Sequence, residues 1–410
     1  MHSTSNINNI LLKLSPEAEL LLFCISPFDA LKDPIKLQAI TKQNINWNYL
    51  LNIANANKVL PLLYFQITAN CPELIPTTYL NTLKNYCLKN SKKNLFLSQE
   101  TLKLLALFKT NNISAIPIKG PVMTSYLYQN LSLREFNDLD FLVQETDLSL
   151  IKKLLTSQGY IPEIALTEIQ EEAFIKYHYQ LVFKNKNGLE IDIHWRIAPK
   201  YFNNNFKFND LWKELQETEC GGEEIKSLSP ENLLLILCIN GTKDLWNELK
   251  TIVDITQLIK NKEINWKKTI HKSQLLGMEK SLLIGTSLAS TLLKIELPAL
   301  ISKKIKSNSQ IIKLTKEICL KLLDIRKPIG MKEECCFQLK ALDSFRHKVK
   351  YCFKLIMTPT LGDWQFISFP RHLSLLYYVT RPIRLAKKYL LGRFKPKQYF
   401  HSNKNIIVKS

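Results

Sequence analysis

The sequence predicts an α+β protein in which a mixed sheet with flanking helices lies between N-terminal and C-terminal helical regions. Apolar residues recur at three- and four-residue spacing within residues 16–110 and again from residue 229 onward, a pattern that indicates helices. Between these regions, the short runs 138–143 and 189–195 have the apolar or alternating pattern of strands. Both patterns occur in one chain, which favours the α+β class.

Local signals set the ends of the central elements. Pro121 suits the first turn of one predicted helix, and Gly159 ends the next. The polar run 184–188 joins two strands as a hairpin. Ser229, followed by Pro230, caps the first helix of the C-terminal helical region.

We therefore expect four parts along the chain, whose 410 residues suffice for two or three domains. They are a helical N-terminal region over residues 1–94, an α/β core over 95–215, a helical domain over 216–345 and a basic C-terminal region over 346–410. No repeat or Gly/Ser-rich linker separates them.

The chain is strongly basic, with a formal net charge of +20. Residues 346–410 contain 14 lysines and arginines against one acid, Asp363, and so carry +13 of that charge. Four cations at three- and four-residue spacing predict an amphipathic basic helix that suits RNA or an anionic surface: Arg381, Arg384, Lys387 and Lys388. The alternative is a solvated face without a partner.

The cysteines and the apolar runs predict a cytoplasmic protein. The nine cysteines are irregularly spaced and include no Cys-x-x-Cys, so we expect neither a disulfide framework nor a zinc site. No run of about 18 apolar residues predicts a transmembrane segment. The N-terminus also lacks the basic-then-apolar order of a signal peptide.

Acidic residues recur at two-residue spacing in two predicted strands. Asp138 and Asp140 share one strand, and Glu190, Asp192 and His194 share another. Side chains two residues apart in a strand point to the same face, so three aspartates converge if the strands are neighbours. Close carboxylates repel one another unless a cation lies between them, and their oxygens suit Mg²⁺ or Mn²⁺. Such a site suits phosphoryl or nucleotidyl transfer.

Several further motifs extend this pattern along the chain. They are Ile118-Lys119-Gly120, Tyr126-Leu127-Tyr128, Arg134, Asp138-Leu139-Asp140, Gly159-Tyr160, Asp192-Ile193-His194-Trp195, Ser229-Pro230-Glu231, Gly241-Thr242-Lys243, Asp254, Asp363-Trp364 and Arg381-Pro382-Ile383-Arg384. Together they resemble the uncharacterised nucleotidyltransferase family of the DNA polymerase beta-like nucleotidyltransferase superfamily. The resemblance extends over most of residues 90–390.

This resemblance implies a nucleotidyltransferase-fold sheet and a metal-dependent reaction. A nucleoside monophosphate would move from an NTP, with ATP as the expected donor, to an unknown acceptor. Three aspartates would hold Mg²⁺ or Mn²⁺ and act in catalysis, the last of them as a ligand or a general base: Asp138, Asp140 and Asp192. Three further residues would bind the phosphates of the nucleotide: Lys119, Gly120 and Arg134.

The chain departs from its relatives at some positions. Lys119-Gly120-Pro121 replaces the apolar-Gly-Gly/Ser motif of the superfamily, as is usual for this family. Asn240 and Asp244 stand where many relatives have histidines. Lys243 and Asp254 resemble a pair within the helical domain, with nucleotide or acceptor contact as the other interpretation.

Alternatives remain open at both the residue and the protein level. Lys119 also fits an ordinary surface lysine, Arg134 a partner of a nearby acid, and His194 a structural histidine. The protein as a whole also fits a non-catalytic nucleotidyltransferase-fold protein that binds RNA or a protein partner. A further alternative is an enzyme that modifies a peptide or a small antibiotic.

Overall fold

The computed structural model describes residues 14–26, 34–70, 72–199, 202, 206–323, 330–367, 369 and 376–390. Within these ranges, helices surround a five-stranded mixed sheet, so the predicted α+β class is confirmed. Residues 391–410 of the predicted basic region and 1–13 of the predicted N-terminal region lie outside the described residues. Among the helices that are described, none combines the length and the hydropathy of a membrane-spanning segment.

A group of helices precedes the sheet. It comprises α1 (Pro16–Ile25), α2 (Pro34–Thr41), α3 (Trp47–Ala56), α4 (Leu60–Asn70) and α5 (Thr77–Thr110). The last of these is a continuous helix of 34 residues. The division expected between residues 94 and 95 therefore falls inside α5.

The central unit alternates strands and helices. It contains β1 (Ala115–Pro117), α6 (Gly120–Tyr128), β2 (Asp138–Val143), α7 (Leu148–Ser157), β3 (Tyr160–Pro162), α8 (Glu168–Tyr177), β4 (Gln180–Asn185) and β5 (Glu190–His194). The strand order is β1-β2-β5-β4-β3, in which β2 and β5 are parallel and the other neighbours are antiparallel. The strands predicted at 138–143 and 189–195 are thus confirmed as direct neighbours.

A separate hairpin follows the sheet. It consists of β6 (Leu215–Cys220) and β7 (Glu223–Leu228), preceded by the short α9 (Phe208–Trp212). Gly221 and Gly222 form its turn with φ of +64° and +85°, a conformation that favours glycine. The sequence analysis did not identify this hairpin, because the polar β6 lacks the apolar signal of a strand. The division expected between residues 215 and 216 falls inside β6.

Helices form the rest of the described chain. They are α10 (Pro230–Lys243), α11 (Leu249–Asn261), α12 (Trp266–Leu275), α13 (Glu279–Leu293), α14 (Ala299–Lys306), α15 (Ser309–Leu322), α16 (Met331–Ala341), α17 (Phe345–Met357), α18 (Leu361–Phe366) and α19 (Tyr377–Leu390). The side chain of Ser229 accepts a hydrogen bond from the N–H of Asn232, as expected of the predicted cap of α10.

One large apolar core joins the N-terminal helices to the helical domain. Leu51 and Leu63, from α3 and α4, belong to the same buried cluster as Leu235, Ile252 and Ile284 from α10, α11 and α13. The two helical parts on either side of the sheet in the sequence are therefore packed together in space.

A second apolar core covers one face of the central sheet. Its members from the two parallel strands are Leu139, Phe141, Ile191 and Ile193. Phe108 of α5 and Ile151 of α7 complete this core. Because side chains alternate along a strand, the acidic residues of β2 and β5 point to the other face.

Polar contacts fix the segment that leads into β2. The side-chain amide of Asn94 in α5 donates to the carbonyls of Leu131 and Arg134, over 2.6 and 2.8 Å. The Arg134 guanidinium donates to both carboxylate oxygens of Asp254 in α11, over 2.9, 3.1 and 2.9 Å. The Tyr128 hydroxyl donates to the same carboxylate over 2.7 Å. These bonds connect the end of α6, the approach to β2 and the helical domain.

Two arginines of the basic C-terminal region form ion pairs with one buried aspartate. Arg381 Nη1 and Arg384 Nε donate to the carboxylate of Asp363 over 2.6 and 2.5 Å, and Asp363 is buried. These two arginines are therefore paired within the fold, and binding of RNA or an anionic surface by this helix stays a prediction. Val379 and Ile383 in the same helix are exposed instead.

We expect Arg134→Met to lower the free energy of unfolding by about 3–5 kcal/mol, because it leaves the Asp254 carboxylate buried without its partner. Arg134→Met/Asp254→Asn should recover part of this loss, because it removes both charges and keeps an acceptor for Tyr128. Urea unfolding followed by circular dichroism measures both variants.

The matched control is Lys103→Met, which breaks the exposed ion pair with Glu100 and should cost less than about 1 kcal/mol. Equal stability of Arg134→Met and the wild type would show that the ion pair does not hold the two parts together.

Candidate active site

Two parallel strands present the predicted acidic residues on one face. Asp140 in β2 is the register partner of Asp192 in β5, and Asp138 is the partner of Glu190. Partners in neighbouring strands point to the same side of the sheet. The pairing therefore sets Asp140 and Asp192 side by side, on the face away from the sheet core.

A group of three residues on this face has the spacing of metal ligands. Asp140, Asp192 and His194 each offer one ligand atom, and these atoms lie within 4.8 Å of one another. The group contains two of the three predicted aspartates, with His194 in addition. Asp138 is half-buried two residues before Asp140, outside this group. The two carboxylates suit Mn²⁺ or Mg²⁺, and an imidazole ligand is accommodated better by the transition metal Mn²⁺ than by Mg²⁺.

The imidazole of His194 is coupled directly to the aspartates. Its Nε2 donates to Oδ1 of Asp140 over 2.9 Å, and both side chains are buried. Burial lowers the pKa of His194, which favours the neutral ring despite the neighbouring carboxylate. Among the described residues, Nδ1 of His194 has no hydrogen-bond partner. A buried, neutral imidazole ring with an unpaired nitrogen indicates a site that binds a ligand.

The two paired aspartates differ in their ionisation. Burial alone would raise the pKa of Asp140, but the charge of Lys119 and the hydrogen bond from His194 together hold it well below its ordinary value. Burial raises the pKa of Asp192, and the charges of Asp140 and Asp138 raise it further. A divalent cation between these carboxylates would favour the ionised form of both, so the charges fit a metal.

The Lys119-Gly120 turn lies against the same strand. The N–H of Ile118 donates to the carbonyl of Asp140 over 3.0 Å, which fixes the turn beside β2. Gly120 starts α6 with φ of +68°, and a Cβ there would lie 3.6 Å from the carbonyl oxygen of Asp138. The positive φ favours glycine, whereas the 3.6 Å distance is an ordinary van der Waals contact. The turn brings the cationic Lys119 and the N-terminus of α6 to the aspartates, an arrangement that suits phosphate.

Arg134 is held by an internal ion pair. Its side chain is 5 % exposed, and its guanidinium is engaged by Asp254, while the charge of Asp138 also acts on it. This pairing agrees with the alternative interpretation of Arg134 as the partner of an acid, and the phosphate contact stays a prediction.

Two residues that the sequence did not single out, Tyr179 and Gln180, contact or influence the site, together with Lys243, for which nucleotide or acceptor contact was one interpretation. The charge of Lys243 acts on both Asp140 and His194, and its Nζ lies 5.3 Å from the ring centroid of Tyr179. The side-chain amide of Gln180 in β4 donates to Oδ2 of Asp192 over 2.7 Å. In the sequence, the feature that points to Lys243 is its place in the Gly-Thr-Lys motif. The feature that points to Tyr179 and Gln180 is the hairpin that contains β4 and β5.

Comparison with known proteins identifies the family of this chain. The model of the uncharacterised nucleotidyltransferase family matches residues 43–294, which are more than half of the 410 residues. The chain belongs to this family. The matched region begins earlier and ends earlier than residues 90–390, the region over which the motifs suggested the resemblance. It contains the sheet, the aspartates and the helices up to α13.

Other similarities to this nucleotidyltransferase are weaker. A crystal structure of the lincosamide antibiotic adenylyltransferase LnuA with bound lincomycin is 19% identical in sequence, and the alignment covers 40% of this chain and 97% of that one. Its TM-score of 0.28 is too low for the alignment to assign a substrate. No curated protein sequence matches this chain significantly.

We expect Asp192→Asn to weaken Mn²⁺ binding to this nucleotidyltransferase by at least about tenfold, because the variant lacks a carboxylate that contributes to the site. Isothermal titration of MnCl₂ into metal-free protein measures this loss without any nucleotide. Glu190→Gln is the matched control, since Glu190 lies on the same face of β5 but is paired with Lys184 at 2.8 Å. Equal affinities of Asp192→Asn and the wild type would contradict the site.

The same titration should depend on pH. The pKa of Asp192 is raised above its ordinary value of 3.8 by burial and by neighbouring carboxylates, so a proton occupies this group at pH values where an exposed aspartate is ionised. Mn²⁺ must displace that proton, so its affinity should increase as the pH rises through the raised pKa. Asp192→Asn should remove most of this pH dependence, and an unchanged dependence in the variant would contradict the assignment.

Proposed function

We propose that this protein is a divalent-metal-dependent nucleotidyltransferase that transfers a nucleoside monophosphate from an NTP, with ATP as the first candidate, to an acceptor. The membership of the family supports nucleotidyl transfer in general. The observation that carries the metal dependence is the pairing of Asp140 and Asp192 on adjacent parallel strands, within ligand distance of His194.

In the proposed reaction, an oxygen of the acceptor attacks the α-phosphorus of the nucleotide. The bond from that phosphorus to the β-phosphate oxygen breaks, and pyrophosphate leaves with its electron pair. When bound, Mg²⁺ or Mn²⁺ would neutralise phosphate charge and lower the pKa of the attacking hydroxyl. We assign Asp138, Asp140 and Asp192 to hold the metal, with His194 beside them.

The position of Asp192 at the end of the pair gives this residue a second proposed role. An ionised carboxylate can accept the proton of an attacking hydroxyl as a general base. We assign Asp192 to the acceptor side, where the proton of the attacking hydroxyl must go. Gln180 orients this carboxylate through its hydrogen bond to Oδ2.

The nucleotide phosphates are assigned to the opposite side of Asp140. Lys119 supplies a positive charge there, and Gly120 permits the backbone to come close at the start of α6. Lys243 is proposed as the second cation, in the role that the sequence analysis gave to Arg134. Arg134 is proposed as a structural residue, because its guanidinium already pairs with Asp254.

No specific contact within the described ranges favours the non-catalytic alternative. The basic C-terminal region suggested RNA or an anionic surface, but Arg381 and Arg384 are engaged by Asp363 within the described fold. A cytoplasmic location is part of the proposal. It is supported by the cysteines, none of which forms a disulfide within the described ranges.

Nucleotide binding and turnover test this function directly. In 5 mM Mg²⁺ or Mn²⁺, the wild type should bind one NTP by isothermal titration, and this binding should require the metal. Asp140→Asn should reduce the affinity by about tenfold or more, because it removes the carboxylate beside Lys119. Release of pyrophosphate from α-³²P-labelled NTP, screened over hydroxyl and phosphate acceptors, then identifies the acceptor.

Glu190→Gln again serves as the control and should bind the nucleotide as the wild type does. Absence of binding to ATP, CTP, GTP and UTP in both metals would refute the proposal. So would undiminished binding and turnover in Asp140→Asn.

A further inference from the structure

The helix α17 carries apolar side chains on its exposed side. Four of its residues recur at three- and four-residue spacing and so share one face of the helix: Phe345, Val349, Phe353 and Ile356. All four are exposed, and Phe345 is 79% exposed. The opposite face is packed against the protein, since it contains the buried Tyr351. We refer to the four exposed residues as the α17 stripe.

The helix α19 reverses the usual arrangement of a surface helix, in which apolar residues face inward and charged residues face outward. On its inward side, the Arg381 guanidinium donates to the carbonyls of Leu355 and Ile356 at the end of α17, over 2.8 and 2.9 Å. On its outward side lie Val379 and Ile383, four residues apart and both exposed, Ile383 by 64%. We refer to this pair as the α19 stripe. The bonds from Arg381 also join α19 to α17.

The positive charge of this region is not balanced by its own acids. Residues 346–410 contain 14 lysines and arginines, and their one acid, Asp363, is already paired with two of the arginines. Exposed cations lie beside both stripes, with Arg346 next to the first residue of the α17 stripe and Lys387 one helical turn after the α19 stripe. Each stripe is therefore apolar and bordered by positive charge.

The combination of exposed apolar residues and positive charge favours one kind of partner. Single exposed apolar residues are ordinary on protein surfaces, whereas groups of them mark an interaction surface. A second copy of the chain would bring the same excess of positive charge to the contact, and the two regions would repel each other. RNA would attract the cations, but the valines and isoleucines of the stripes have no aromatic plane on which a base can stack.

An anionic lipid surface satisfies both features of the stripes. Its boundary between headgroups and acyl chains accepts the apolar side chains of an amphipathic helix. Its negative headgroups attract the lysines and arginines beside those side chains. The charge complementarity therefore favours a membrane over RNA or a second copy.

We propose that α17 and α19 dock this protein on an anionic membrane surface. The α17 stripe and the α19 stripe enter the boundary between headgroups and acyl chains, and the cations beside them contact the headgroups. Neither helix crosses the membrane, because their 13 and 14 residues are too few to span it. This inference goes beyond the proposed function, and the docking requires neither metal nor nucleotide.

Binding of the 410-residue protein to lipid vesicles tests the proposal. Cosedimentation is measured with vesicles of phosphatidylcholine alone and with vesicles of phosphatidylcholine and phosphatidylglycerol, at low and high salt. The wild type should bind the anionic vesicles at least about tenfold more tightly than the neutral ones, because the cations contribute only there. Salt should reduce this difference, because it screens the charges.

The double variant Phe353→Gln/Ile383→Gln removes one apolar side chain from each stripe. Both side chains are exposed, so the fold should be retained, whereas the affinity for anionic vesicles should fall by about tenfold or more. Leu275→Gln is the matched control, since Leu275 in α12 is 74% exposed but belongs to neither stripe. Lys387→Gln should weaken binding to the anionic vesicles by about fivefold and leave binding to the neutral ones unchanged.

The proposal is overturned if the wild type does not bind anionic vesicles, or if the double variant binds them as tightly as the wild type. Two parallel measurements identify the other partners. Binding of a labelled single-stranded RNA without binding of vesicles would assign the region to RNA. A dimer in sedimentation velocity that the double variant abolishes, again without binding of vesicles, would assign the stripes to a second copy of the chain.

The docking and the proposed function fail separately. The double variant should bind nucleotide with metal as the wild type does, because its substitutions lie outside the candidate active site. Asp140→Asn should bind anionic vesicles as the wild type does. Loss of vesicle binding in Asp140→Asn would contradict docking through α17 and α19.

Discussion

The buried ion pair between Arg134 and Asp254 is the interaction on which the rest of the site depends. It links the approach to β2 with α11, and the Tyr128 hydroxyl joins it from the end of α6. Two charges are costly to bury, and such a pair is tolerated when every lone pair and N–H has a partner of good geometry. Here it fixes the segment before Asp138 from the side of the helical domain, while Asn94 fixes it from α5.

Once β2 is held in place, its parallel pairing with β5 determines which carboxylates converge in the proposed metal site. A register in which Asp140 faces Asp192 sets two carboxylates together on one face, while the apolar residues between them fill the sheet core. A shift of one residue would send the carboxylates of one strand into that core. The requirement for a buried apolar face therefore also enforces the convergence of the acidic residues. Burial and the resulting repulsion together raise the pKa of Asp192, which favours a cation at this position.

The strands and their pairing can be predicted from the sequence, whereas the long-range contacts between side chains cannot, for physical reasons. The strand at 138–143 was predictable because the apolar run 141–143 follows two aspartates at two-residue spacing, and that period places Asp140 and Asp192 on the same face once the strands pair. The fate of Arg134 was not predictable, because its partner lies 120 residues away in the chain and only packing brings them together. No local sequence pattern identifies the acceptor substrate.

Anomalous diffraction from a crystal grown with Mn²⁺ and a non-hydrolysable ATP analogue would test the central claim most directly. The account predicts a manganese peak bonded to carboxylate oxygens of Asp140 and Asp192, about 2.2 Å from each, with the nucleotide phosphates on the side of Lys119 and Gly120. A manganese peak elsewhere, or a nucleotide bound away from these aspartates, would contradict it.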